Sequence, residues 1–223
     1  MQYNLIRSRR KTLSIYIKDN AVEVRAPLKM PLRDIEQFIM SKEQWITDKL
    51  ALARERANQR TLSQLDYGSE IILCGIGRTI TAKSEPPYGF NDNSLYIPTG
   101  FTSEQIKAAC VKCYRAAAKY YLPARVEAYA QLMGVDPQSV KINGAKKRWG
   151  SCSSKKSINF SWRLIMADDA VIDYVVVHEL AHLVQMNHSP KFWQIVENTL
   201  PDYRERRARL KNLAYKLNTE DWG

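Results

Sequence analysis

No apolar run in this 223-residue chain approaches the ~18–20 residues that a membrane-spanning helix needs, so no spanning helix is expected. Internal repeats and low-complexity linkers are absent too. That leaves a globular chain long enough for one sizeable core, or for a small module beside a main domain. The stretch from Met1 to Lys11 carries Arg7, Arg9, Arg10 and Lys11 with no apolar segment behind them. A signal peptide is therefore not expected, and the cytoplasm is the expected compartment. There the four cysteines, Cys74, Cys110, Cys113 and Cys152, read as reduced thiols rather than a disulfide framework. Acidic residues are in short supply, 23 against 34 Lys and Arg, for a formal charge of +11. That imbalance favours an anionic partner, nucleic acid among them; Lys and Arg serving solubility alone is the plainer alternative. Histidine is scarcer still, with three in the whole chain.

What is present sorts into two parts. Leu13, Ile15 and Ile17 alternate with polar residues, as do Val22 and Val24, and Asp19-Asn20 lies between the runs. This predicts a hairpin with one apolar face. After Pro27 and Pro31, Ile35, Phe38, Ile39, Trp45, Ile46 and Leu50 recur at helical spacing, predicting one helix from about Leu32 to near Arg56. Short strands follow around Ile71 to Leu73, Thr79 to Thr81 and Leu95 to Ile97, punctuated by Gly75-Ile76-Gly77 and Glu85-Pro86-Pro87-Tyr88-Gly89. Residues 1–100 thus read as a small β-rich α+β module without a catalytic constellation, and residues 101–223 as a second domain.

In that second part, Thr102-Ser103-Glu104-Gln105 has the form of a capping box, with Thr102 as N-cap and Gln105 at N3. The helix it opens carries Ile106, Cys110, Cys113, Ala117 and Tyr121 on one stripe. Pro123 either kinks it or starts a second helix, and Gly134 suits its C-terminal stop. Val140 and Ile142 predict a strand, and residues 144–154 a polar basic loop. Ser157 to Leu164 reads as a strand because Ile158, Phe160 and Trp162 alternate. Asp168 or Asp169 can cap the next helix, Ser189-Pro190 opens another, and a last basic helix runs from about Pro201 to Leu217.

The three histidines all fall between positions 178 and 188, in His178-Glu179-Leu180-Ala181-His182 and then His188. Two histidines four apart project from one side of a helix. As neutral imidazoles they can hold Zn²⁺, with the intervening Glu179 as general base on a zinc-bound water. The bland alternative is a pair of core histidines satisfied by hydrogen bonds. His188 is the preferred third ligand. On a continuing helix it would point ~240° away from the metal face, so the helix must end between about Val184 and Asn187 and the chain fold back. Metzincin peptidases make such a turn with a glycine three residues after the second histidine; here that position is Gln185, and Asn187 is expected to supply the left-handed conformation. Glu197, on the following helix, is the alternative third ligand.

These residues resemble a known family. The histidine motif, then Asn187-His188-Ser189 and Phe192-Trp193, preceded by Arg148-Trp149-Gly150-Ser151-Cys152 and by Asn159 to Ile165, is similar to the YgjP-like metal-dependent hydrolases. Those are relatives of the SprT-like and other small zincin peptidases. The likeness is most specific over residues 140–203 and extends to Arg9-Arg10-Lys11-Thr12 and Val24-Arg25-Ala26-Pro27. It implies an N-terminal β-rich module followed by a zincin-like metallohydrolase domain. It also implies one metal held by His178, His182 and His188, with Glu179 as catalytic acid and base. In zincin folds a strand beside the active-site helix pairs with the substrate main chain, and Ser157 to Leu164 is the natural candidate.

From Lys141 to Arg163 the residues Lys141, Lys146, Lys147, Arg148, Lys155, Lys156 and Arg163 form a basic stretch without acidic partners, expected as the rim of the groove. Arg148 is the candidate for stabilising developing negative charge; a structural role packed on Trp149 is the alternative. Cys110-Val111-Lys112-Cys113 has the CxxC spacing but sits inside a helix, where small apolar core residues are the simpler reading. Arg204, Arg206, Arg207 and Arg209 read as a solvated helix face.

Three functions fit the sequence. One is a cytoplasmic zinc metallopeptidase acting on peptide or protein substrates, with proteins associated with nucleic acid as the class that would account for the basic charge. The second is a metal-dependent phosphohydrolase acting on a nucleotide such as a nucleoside triphosphate, although no P-loop or Mg²⁺ carboxylate cluster is visible. The third is a basic nucleic-acid-binding protein with a structural zinc, which normally takes four protein ligands where three are evident.

Overall fold

The computed structural model describes residues 2–18, 21–62, 64–219 and 222, with the main chain alone for 18, 53–62 and 214–219. They form an α+β protein of two compact units, Met1–Gln64 and Leu65–Gly223. In the first, strands β1 (Asn4–Ser8), β2 (Ser14–Lys18) and β3 (Ala21–Pro27) form a sheet in the order β1-β3-β2. β2 and β3 pair antiparallel as the predicted hairpin, and β1, which lacks a clear alternation, pairs parallel to β3. The predicted turn residues Asp19 and Asn20 lie outside the described residues. Val22, Val24 and Ala26 alternate inward on β3 and meet Ile35, Ile39 and Ile46. Those last three sit on two helices rather than the single one expected. α1 (Leu32–Ser41) stops at Lys42, whose N–H bonds back to Ile39 and Met40, and α2 (Glu43–Leu62) restarts.

In the second unit, β4 (Glu70–Leu73), β5 (Ile76–Lys83), β6 (Gly89–Phe90) and β7 (Ser94–Pro98) form a sheet in the order β4-β5-β7-β6. Ile71, Ile80, Leu95 and Ile97 share one core with Ile106, Cys110 and Tyr114 of helix α3 (Ser103–Met133). The expected division is at residue 100. Those short strands are half of a core that α3 completes, so the break between compact units falls at Gln64. α3 opens on the capping box: Thr102 Oγ1 accepts from Gln105 N at 3.4 Å, and Gln105 Oε1 accepts from Thr102 N at 2.9 Å. It runs through Pro123 unbroken and ends at Gly134, whose φ of 64° is left-handed. Its buried residues, Ile106, Cys110, Tyr114, Ala118, Leu122, Val126 and Ala130, recur every fourth position as one stripe. All four cysteines are free, and burial pushes the Cys110 thiol up to about 12, as a core residue requires.

Strands β8 (Ser139–Asn143), β9 (Gly150–Cys152) and β10 (Ser157–Ser161) form a second sheet of this unit, in the order β8-β10-β9. The predicted strand to Leu164 ends at Ser161. Trp162 through Met166 are all buried in succession, which a strand with one solvated face cannot accommodate, and they form a 3₁₀ helix. Then come α4 (Asp169–Ala181), α5 (Pro190–Thr199) and α6 (Tyr203–Thr219). α4 is the axis of the unit. Asp168 caps it through its side chain, accepting from Val171 N at 3.1 Å, and nearly every residue from Val171 to Ala181 is buried. Asp173 ties it to its neighbours, accepting two bonds from Arg125 at 2.8 and 2.6 Å and one from the Tyr129 hydroxyl at 2.9 Å. Asp173→Ala leaves both donors without their acceptor and is expected to cost about 2–3 kcal/mol, read as a lowered urea midpoint at unchanged slope. A loss under about 0.5 kcal/mol would show that water replaces the carboxylate freely.

Candidate metal centre

Because α4 is apolar on nearly every side, its last turn is held in the interior, and His178 and His182 leave it together. The helix ends at Ala181 with His182 as its C-cap, and Leu183, Val184 and Gln185 donate to the Leu180 and Ala181 carbonyls in tightened turns. The chain then reverses without the left-handed residue expected at Asn187. Among described non-glycine residues, positive φ occurs at Cys74 and Lys156 alone. Asn187 acts through its side chain instead: Oδ1 accepts from Ser189 N at 3.2 Å and from Gln185 Nε2 at 2.7 Å. An Asx-type bond of this kind closes a turn that would otherwise need glycine. Ser189 then stands at the N-cap of α5 and Pro190 at N1, so that His188 is placed opposite the helix pair.

The result is a cluster. The ligand nitrogens of His178, His182 and His188 all lie within 4.8 Å of one another. His188 Nε2 and His178 Nε2 are 3.1 Å apart. Two nitrogens each ~2.0–2.1 Å from one ion at the tetrahedral angle stand roughly 3.3–3.4 Å apart, so this pair, at hydrogen-bonding distance, is close to the spacing that two ligands to a common centre require. His182 Nδ1 lies 3.2 Å from the Gln185 carbonyl, and donating there leaves Nε2 with its lone pair. Burial, then the neighbouring histidines and Arg207, lower His178 to about 3; burial also lowers His182. Both are neutral at physiological pH, the state that binds a cation. Phe192 fixes the three rings from one side, with its centroid 4.9 Å from His178, 4.6 Å from His182 and 4.7 Å from His188. Three convergent neutral imidazoles on a packed support fit a divalent transition metal with room for a fourth ligand. Glu197 is not in the cluster; it accepts from Arg204 at 2.7 Å.

Glu179 is 5 % exposed, and its Oε2 has no hydrogen-bond partner in the protein. Burial raises its pKa to about 7, opposed by the nearby charge of Arg148. The wall against it is Gly150. A Cβ there would fall 2.5 Å from Glu179 Oε1 and 2.7 Å from Cγ, closer than atoms can pack. Gly150 carries no polar side chain and its φ is unremarkable, so its proximity to Glu179 was not legible in the sequence.

The expected substrate strand is also corrected. β10 is central, paired parallel to β8 and antiparallel to β9, so neither of its edges is free. The edge strand beside α4 is β9, inside the predicted loop. Ser161 N donates to Trp149 O and Ser153 N to Ser157 O, so by antiparallel alternation Gly150 and Cys152 turn their main-chain groups outward. Of the basic stretch, Lys141, Lys146, Lys147, Arg148, Lys155 and Lys156 are exposed, but Arg163 is not. It is buried over the Trp162 ring at 4.5 Å and donates to the Gly144 carbonyl at 3.0 Å, holding the loop rather than lining it.

A sequence profile described as YgjP-like, metallopeptidase domain, matches residues 11–213 of the chain. No curated protein matches it. Among solved structures it is similar to the metallopeptidase zymogen of Pyrococcus abyssi abylysin, at 23% identity over 44% of this chain and 97% of that one, with a TM-score of 0.39. It is also similar to the metallopeptidase zymogen of Methanocaldococcus jannaschii jannalysin, at 19% identity over 41% and 94%, with a TM-score of 0.37. With the profile spanning both compact units and the histidine cluster inside it, the chain belongs to the YgjP-like metallopeptidase family and is a metal-dependent hydrolase of that family.

Proposed function

We propose that the protein is a zinc peptidase in which His178, His182 and His188 hold one Zn²⁺ per chain and Glu179 is the general base. The observation that carries this reading is the convergence of three imidazole nitrogens next to a buried carboxylate. When bound, the ion supplies Lewis acidity toward the scissile carbonyl and lowers the pKa of water. Glu179 takes a proton from the attacking water and passes it to the departing amine nitrogen, a transfer suited to a carboxylate whose affinity for protons is raised by burial. Substrate main chain adds to the outward edge of β9 at Gly150 and Cys152, which aligns its carbonyl with Glu179. Arg148, exposed and close enough to act on Glu179, stabilises negative charge developing on the carbonyl oxygen. A structural zinc would take a fourth protein ligand, and among the described residues three converge. No helix among the described residues is long and apolar enough to cross a membrane, and the free cysteines suit the reducing cytoplasm.

Metal analysis and peptide turnover test the reading together. Wild type is expected to bind one zinc per chain and to cleave a quenched-fluorescent peptide library, with activity lost to a chelator and restored by zinc. His188→Ala is expected to weaken zinc binding by more than about 100-fold, since losing even an outer hydrogen-bond partner of a ligand costs 10–100-fold. Wild type that takes up no transition metal, or that hydrolyses nucleoside triphosphates but no peptide, would falsify the proposal.

A further inference from the structure

α6 carries four arginines in its first two turns, and the structure treats one of them differently. Arg204 is paired with Glu197 at 2.7 Å, Arg206 with Asp202 at 2.8 Å, and Arg209 with Asp168 at 2.7 Å. Arg207 makes no ion pair among the described residues. It lies instead over the Trp193 ring, its guanidinium carbon 5.1 Å from the centroid. Trp193 is itself part of the metal centre's wall: its ring stacks on His188 at 5.8 Å and 30°, stands 5.9 Å from His178, and stacks on the buried Tyr203 at 5.4 Å and 17°. One indole therefore joins an exposed cation to two of the three histidines.

A guanidinium stacked on a ring is held in orientation while the N–H groups at its rim stay available, the arrangement that receives a carboxylate through two parallel bonds. The three neighbouring arginines have already satisfied that demand within the protein, and Arg207 has not. A fixed cation beside the histidine cluster attracts anionic groups and orients them before chemistry.

We propose that Arg207, seated on Trp193, forms a subsite that binds a carboxylate of the peptide substrate and so determines which peptides are cut. The inference rests on the peptidase reading. The carboxylate has two sources, the C-terminus of a short peptide or an Asp or Glu side chain. Both present the same planar acceptor, and neither is matched by an amide.

Fluorescence anisotropy on protein carrying Glu179→Gln, which should bind without cleaving, measures this directly. Three labelled peptides of one sequence serve as probes: one with a free C-terminal carboxylate, one amidated, and one amidated with an internal Gln replaced by Glu. At least one carboxylate peptide is expected to bind about ten-fold more tightly than the uncharged one, and which one identifies the source. Adding Arg207→Gln should erase that gap, and Arg207→Lys should restore part of it, having the charge without the planar fork. Equal binding of all three peptides overturns the subsite, as does a gap that survives Arg207→Gln. Turnover by wild type is scored separately. Cleavage without carboxylate preference would sink the subsite alone, and an Arg207-dependent gap without any cleavage would sink the peptidase reading alone.

Discussion

Glu179→Gln is expected to lower peptide turnover by about 100- to 10,000-fold while zinc stoichiometry and folding stay as in wild type. The amide has the same shape, so the helix and its buried surroundings should keep their packing. What it cannot do is accept a proton from water and return it to the leaving nitrogen. The neighbours of Glu179 make this separation clean. Its carboxylate is not among the three groups that converge, and its Oε2 has no partner in the protein whose loss would disturb the fold. Zinc per chain by elemental analysis and kcat on one peptide, measured on the same preparations, decide the matter. A variant that holds zinc and retains more than about a tenth of wild-type turnover would show that Glu179 is not the base. A variant that loses zinc would instead make Glu179 a structural support of the ligands.

Gly150→Ala is expected to cost about 100-fold in kcat with little change in metal affinity. The added methyl group would sit 2.5 Å from Glu179 Oε1 and 2.8 Å from Cδ, so the carboxylate must move by a large part of an ångström. Displacement on that scale is enough to cost two orders of magnitude in an oriented reaction. The backbone at this position accepts alanine, so the fold itself should tolerate the change, and thermal denaturation should shift only modestly. Unchanged kcat would mean that β9 yields and Glu179 does not, removing Gly150 from the positioning of the base. The comparison with Glu179→Gln is informative in itself. If both act on the same proton transfer, the double variant should be hardly slower than Glu179→Gln alone.

The parts of this architecture that could be read in advance are those with local physical signals. The capping box at Thr102, the stop at Gly134 and the pairing of β2 with β3 each follow from residues within a few positions of one another. The histidine cluster was legible for a different reason: three scarce residues in one window, two at helical spacing, admit few arrangements. The parts not legible depend on distant partners. β9 has three residues, too few for alternation to register, and it exists because β10 and α4 flank it. Ser157 to Leu164 looks like a single strand until the burial of Trp162 to Met166 is known. Arg163 departs from its expected place on the rim for the same cause, whereas Arg207 is exposed on its helix as expected. Each is one basic residue in a basic run, and only the structure shows that one is interior over Trp162 and the other exposed over Trp193. That Ile71, Ile80, Leu95 and Ile97 share a core with α3 was not legible, because they alternate in the same way whichever core they serve.

The burial of α4 on nearly all sides also sets how variation in this protein should be interpreted. Ten of its residues are buried, and each of those faces is occupied by α3, β9, α5 or α6. A survey of random substitutions would therefore record loss of activity along the whole helix, most of it arising from molecules that fail to accumulate in folded form. Depletion there says little about chemistry unless folded protein is counted in parallel. Positions where a side chain can be exchanged without unmaking the helix that carries the histidines lie elsewhere, among the partly exposed residues of β9 and the exposed residues of α6.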